Sequence, residues 1–87
     1  MHAGSTQSTP KLRFKVERAD EIAAKHNLES IKDKAAFFGA TETTYSRVVR
    51  GLIVPGEVFI AAVLSSRPFD PDITFDALFE VVDEVAA

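Results

Sequence analysis

The sequence predicts an all-α domain of five short helices led by a short extended N-terminal arm. Three observations carry that expectation. Apolar residues recur at i, i+3, i+4 and i+7 in successive stretches, the stretches are punctuated by Ser, Thr, Gly or Pro, and the connections between them span two to six residues. Links so short keep neighbouring helices in contact around one core. The chain has 87 residues, room for a single domain that buries only about 60% of its unfolded surface. Cysteine is absent, so stability must come from apolar packing, to which seven Phe and many aliphatic residues are suited.

Residues 1–10, "MHAGSTQSTP", read as a disordered polar tail that lacks the charged and apolar parts of a signal peptide. The domain is assigned to residues 11–87. It opens on "KLRFKV", six alternating positions that fit an extended arm or strand. A first helix follows from about Val16 to Leu28, with Ala19, Ile22, Ala23 and His26 on one face and Asn27 as its stop. Ser30 caps a second helix, about residues 30–38, on which Ile31, Ala35 and Phe38 make the apolar stripe. Phe37 lies off that stripe, and Lys34 is expected to lay its stem on the core edge with its ammonium exposed.

The third helix, about residues 42–50, lies within "GATETTYSRVVRG". Its Thr, Ser, Val and Tyr are middling helix formers, yet Thr41 stands as an N-cap and Gly51 as a stop. Tyr45, Val48 and Val49 cluster on one side, and Glu42, Thr43, Ser46, Arg47 and Arg50 fall on the other. Such a segment is pinned by packing behind it, which leaves the polar front free to be chosen for what it touches.

Pro55 and Gly56 open a fourth helix, and Val58 to Leu64 are apolar all round, as in a helix enclosed by its neighbours. "RPFDPD" is a loop set by two prolines and two aspartates. Thr74 caps a fifth helix with Asp76 near its N-terminal dipole, and Phe75, Leu78, Phe79, Val82 and Ala86 line its inner face.

The net charge of −3 hides a polarised distribution: residues 1–51 carry +3 and residues 52–87 carry −6. An anionic partner therefore meets the first half. No apolar run reaches the roughly 18 residues of a membrane span, and with cysteine absent a reducing cytoplasm is the expected location. His2 and His26 are too far apart and too unsupported to hold a metal. No nucleophile triad, phosphate loop or carboxylate pair is placed for catalysis, so neither an enzyme, a cofactor nor a small-molecule substrate is expected.

The second helix, the link Gly39-Ala40-Thr41 and the third helix have the proportions of a helix-turn-helix, whose second helix enters the DNA major groove. "KAAFFGATETTYSRVVRG" resembles the helix-turn-helix of the Cro and lambda-repressor type, the XRE-like transcriptional regulators. The family's pattern is Leu-Ala, three residues, Gly, a small apolar residue, Ser or Thr, three residues, an apolar residue, Ser-Arg, an apolar residue, two residues and Gly, and this chain departs from it at Lys34, which stands where the family prefers Leu. "PGEVFIAAVLSSRPFDPDITFDALFEV" is similar to the fourth and fifth helices of small actinobacterial and actinophage members. The resemblance covers about residues 16–82 and implies a lambda-repressor-like domain that binds double-stranded operator DNA.

Carried over position by position, the resemblance implies base reading by Glu42, Thr43, Ser46 and Arg47. It sets Thr41, Thr44, Arg50 and Lys32 near phosphates. Arg47 can bond O6 and N7 of guanine together, a contact worth about 1–3 kcal/mol of discrimination. Lys11, Arg13 and Lys15 form a candidate DNA-contacting arm. Leu52, Ile53, Val54 and Glu57 occupy a stretch where relatives often carry basic residues. Val81 and Val85, with Leu52, Ile53 and Val54, are the candidates for a homodimer or partner surface. A second reading keeps the fold but makes it a protein-binding module, an anti-repressor, antitoxin-like partner or adaptor that does not touch DNA.

Overall fold

A computed structural model describes residues 8–85, with side chains from residue 9 to residue 83. His2 and Ala86 lie outside the described residues. The element order is β1 (Ser8–Phe14), α1 (Val16–Lys25), α2 (Ile31–Phe37), α3 (Glu42–Val49), α4 (Glu57–Leu64), a 3-10 turn at Arg67–Phe69, α5 (Phe75–Leu78) and β2 (Phe79–Val85). The all-α expectation is therefore wrong. Five helices are present, but β1 and β2 pair antiparallel into a two-stranded sheet that joins the two ends of the described chain.

The correction has a physical cause at each strand. The expected arm is β1, and it begins at Ser8, inside the segment read as tail. The fifth helix stops after one turn because Phe79 adopts φ −133° and ψ 149°, and "FEVVDEV" continues as a strand. Val81, Val82 and Val85 are β-branched and favour a pleated surface. A helix running on to residue 86 would also leave the backbone of β1 without a ladder partner. The register sets Phe14 opposite Phe79, both 2% exposed, and Arg13 opposite Glu80. Apolar burial and opposite charge thus favour one register. The Lys15 N–H donates to the Leu78 carbonyl at 2.7 Å and closes the corner where strands become helices.

Phe14 is the hub of the core. Its ring lies 5.1 Å from Phe59, 5.4 Å from Phe79, 6.0 Å from Tyr45 and 6.3 Å from Phe38, mostly edge to face. Around these rings pack Ala19, Ile22, Ala35, Val48, Val63, Ile73 and Leu78. The fourth helix is not enclosed on all sides: Phe59 and Val63 are buried, but Val58 is 81% exposed. High hydropathy without one-sided periodicity hid its outer face.

Ser30 and Thr41 cap α2 and α3 as expected, their hydroxyls accepting from the Asp33 N–H at 3.0 Å and the Thr44 N–H at 3.2 Å. Lys34 is largely covered and its ammonium meets Asp20 at 3.2 Å. Phe37 reaches sideways to His26 (4.8 Å) and Phe69 (6.0 Å). No described helix is long and apolar enough to cross a membrane.

Candidate nucleic-acid interface

Two helix ends fix the angle at which α3 is presented. Gly39, at φ 78°, turns the chain out of α2 while the Ala40 N–H donates to the Ala35 carbonyl at 2.9 Å. A side chain at Gly39 would meet the Ala62 carbonyl oxygen at 3.2 Å, so α4 also closes on this turn. Gly51, at φ 74°, ends α3, and the Leu52 N–H returns to the Arg47 carbonyl at 2.9 Å. Both glycines take the left-handed conformation that caps helices.

From behind, α3 is held by Tyr45, fully buried, and Val48, 5% exposed. The Tyr45 ring stacks on Phe38 at 5.9 Å. Its hydroxyl is buried with no hydrogen-bond partner among the described residues, and burial, followed by the charge of Asp20, pushes its pKa well above the ordinary value. Tyr45 is thus a core residue and not a stacking platform for bases.

In front, Glu42, Thr43, Ser46, Arg47 and Arg50 line one shallow concavity of about 290 Å³. All but Ser46, which is half-buried, are exposed. The residues that the resemblance marks as base readers therefore share one outward surface, and Arg50 joins them. Thr41 is committed to capping and Thr44 is half-buried on another flank, where both line a groove with Gly56 and Val58.

Several of the described basic residues meet carboxylates. Arg13 bonds Glu80 and Glu17, Arg18 bonds Glu21 at 2.7 Å, Lys25 bonds Asp70 and Asp72 at 3.0 and 2.8 Å, and Lys34 bonds Asp20. Lys32, Arg47 and Arg50 have no ion pair or side-chain hydrogen bond among the described residues. Among the described residues, no carboxylate pairs with Arg47 or Arg50 on the front of α3.

The expected arm is differently placed. Lys11, Arg13 and Lys15 lie on or next to β1, Arg13 is saturated by two glutamates, and Lys15 donates to the Asp76 carbonyl at 3.1 Å. A strand locked in a ladder cannot also reach out as a free arm. Of the expected partner surface, Leu52, Ile53, Val54 and Val81 are exposed. Val85 pairs through its backbone with Ser8, and its side chain lies outside the described ones.

The sequence reading missed the cluster that locks the 70–73 loop to α1. Asp70, 4% exposed, accepts from His26 at 2.9 Å, from Lys25 at 3.0 Å and, through its other oxygen, from the Asp72 N–H at 2.9 Å. The Asp-Pro-Asp run pointed to a turn, but nothing local in the sequence marks its partners 44 residues away. Among the described residues, no group of three or more His, Asp or Glu is arranged to hold a metal. No family model matches this chain, and neither a curated protein nor a solved structure does.

Proposed function

We propose that this chain is a sequence-specific double-stranded DNA-binding transcriptional regulator, of the Cro or repressor kind, that inserts α3 into the major groove. One observation carries the reading. The exposed front of α3 joins Glu42, Thr43, Ser46, Arg47 and Arg50 on one surface, and its two arginines have no ion pair among the described residues, whereas Arg13, Arg18, Lys25 and Lys34 each meet a carboxylate. An unpaired guanidinium beside short polar groups suits base edges and phosphates.

In this reading Arg47 forks onto a guanine, Glu42 accepts from a cytosine amino group and Thr43 touches a thymine methyl, with Ser46 beside them. Arg50 and Lys32 neutralise phosphates, and Thr41 orients α3 as its cap. Occupation of an operator excludes polymerase by bulk alone, and a bacterial cytoplasm is the matching location. Two copies would read half-sites about one helical turn, roughly 34 Å, apart.

A gel shift of the chain with random duplex at low salt tests this directly. Non-specific binding with a Kd of about 10⁻⁴ to 10⁻⁶ M at physiological salt is expected of a DNA reader, tightening as salt falls. Selection of bound duplexes from a random pool should then return one motif. A chain that retards no duplex at any salt concentration would instead be a protein-binding module on the same fold.

A further inference from the structure

The two outer edges of the sheet are unequally protected, and the pairing shows which backbone groups lie on each. The Lys15 N–H donates to the carbonyl of Leu78, and these two residues continue the register in which Phe14 faces Phe79. By alternation, Arg13, Lys11 and Thr9 are the residues that exchange hydrogen bonds with Glu80, Val82 and Glu84. Pro10, which has no N–H to give, accordingly falls in a pair that needs none. The backbone groups of Val81 and Asp83 therefore point away from β1. Those of Phe79 point the same way, but its N–H is taken by the Phe75 carbonyl at the end of α5. Among the described residues, neither Val81 nor Asp83 makes a backbone hydrogen bond outside the ladder. Both are exposed, Val81 by 68%. Pro10 interrupts the donors on the outer edge of β1, whereas β2 has no Pro, Gly or Lys to blunt its own.

We propose that the outer edge of β2 takes an extended basic segment of another protein as a third strand, bonded through Val81 and Asp83. The inference is independent of the DNA reading and uses none of the α3 residues. Strand addition gains affinity from the main chain and specificity from alternate side chains. Val81 and Asp83 lie on the sheet face of Phe79. The added strand thus sets an apolar residue opposite Val81 and, two positions along, a Lys or Arg opposite Asp83. Phe75, 40% exposed and stacked on Phe79 at 5.2 Å, prolongs the apolar end of that strip. Charge selects the occupant. β2 carries Glu80, Asp83 and Glu84 and no base. Arg13 meets Glu80, but Asp83 has no ion pair among the described residues. An acidic segment, or β2 of a second copy, would set like charges along one ladder, whereas a basic segment meets opposite charge.

Nuclear magnetic resonance of the isotope-labelled full chain, titrated with the synthetic peptide Thr-Lys-Thr-Val-Thr-Lys-Thr, tests the proposal. The peptide reads the same in both directions, so it serves either sense of pairing. In the free chain the Val81 and Asp83 amides should exchange quickly with solvent, and those of Glu80 and Val82 slowly. The peptide should bind with a Kd below about 1 mM and slow exchange at Val81 and Asp83. The same peptide methylated at its valine nitrogen should bind at least about tenfold more weakly, and Thr-Glu-Thr-Val-Thr-Glu-Thr should not bind. Asp83→Lys, which leaves the backbone intact, should weaken the basic peptide about two- to fivefold and admit the acidic one. Val81→Pro removes only an outward N–H and should abolish binding without loss of the ladder to β1. A chain that binds neither peptide would overturn the proposal. Equal binding of the methylated peptide would overturn it in favour of charge attraction without a strand. Val81 and Asp83 amides already protected in the free chain, increasingly so with protein concentration, would overturn it in favour of pairing between copies.

Discussion

Arg13 and Glu80 face each other across the β1–β2 ladder and are joined by a direct ion pair, which Glu17 extends at 3.1 Å to the second guanidinium nitrogen. The Glu80 hydrogen bond, then that of Glu17, holds the Arg13 pKa above its ordinary value. Both Arg13 and Glu80 side chains are about two-fifths exposed (41% and 38%), so solvent screening keeps the pair to roughly 0.2–1 kcal/mol. Arg13→Ala should lower unfolding free energy by about that much, measured by urea titration. Its salt slope for DNA should be unchanged, and a slope reduced by about 0.9 would mean that Arg13 does contact phosphate.

The two glycines that bracket α3 should respond unequally to substitution. Each has positive φ, which costs an L side chain about 1–2 kcal/mol. At Gly51 nothing lies within 4 Å of a new Cβ, so Gly51→Ala should show that strain alone. At Gly39 the Ala62 carbonyl oxygen stands 3.2 Å away, on backbone that cannot rotate aside. Gly39→Ala should therefore cost more than Gly51→Ala in chemical denaturation, by about 1 kcal/mol or more.

The α1 to α4 segments were legible because each announces itself locally, through Ser30 and Thr41 as caps, Gly39 and Gly51 as stops, and a one-sided stripe on the first three. The sheet was not. Phe79 and Val82 fit a helical face as well as a strand, and only pairing with residues near the other end of the chain decides between them. The same non-local pairing made "KLRF" part of a strand in which Arg13 is paired with Glu80, and made Phe14 the hub of the core. The α3 front was readable because it lies within one helix, where spacing alone fixes which side chains share a face.

Asp70 should make the domain acid-sensitive in a defined window. The Asp72 N–H first, then His26 and Lys25, lower its carboxyl from the ordinary 3.8 to about 2. A depressed folded-state value contributes stability that is fully present above about pH 4 and is lost as pH falls toward 2. Asp70→Asn retains an oxygen for the Asp72 N–H but loses the charge that faces Lys25 and His26. The variant should melt at lower temperature at neutral pH, and its melting temperature should vary less than wild type's between pH 4 and pH 2. Parallel curves for the two proteins would remove Asp70 from the acid response.

Tyr45→Phe removes a buried hydroxyl that has no partner among the described residues. Since an unsatisfied buried donor costs about 1–3 kcal/mol, its loss should leave stability unchanged or raise it by up to about that amount. Tyr45→Ala, which also removes the ring stacked on Phe38, should cost about 3–5 kcal/mol. Thermal melts of the two variants separate packing from polarity. A Phe variant clearly less stable than wild type would reveal a hydrogen bond to that hydroxyl in solution.

Arg47 and Arg50 share the concavity in front of α3, yet their substitutions should have different signatures. Arg47→Ala should cost about 1–3 kcal/mol on the selected operator and relax preference at one base pair. Arg50→Ala should weaken selected and random duplexes alike and lower the magnitude of the salt slope by about 0.9. The contrast follows from position, since Arg50 caps the C-terminal end of α3 and Arg47 lies one turn inside it. Lys32→Ala, in the first turn of α2, should follow the Arg50 pattern. Competition gel shifts with selected and scrambled duplexes at several salt concentrations measure all three. If Arg47→Ala lowers binding equally on both duplexes, Arg47 contacts phosphate and base reading falls to Glu42, Thr43 and Ser46.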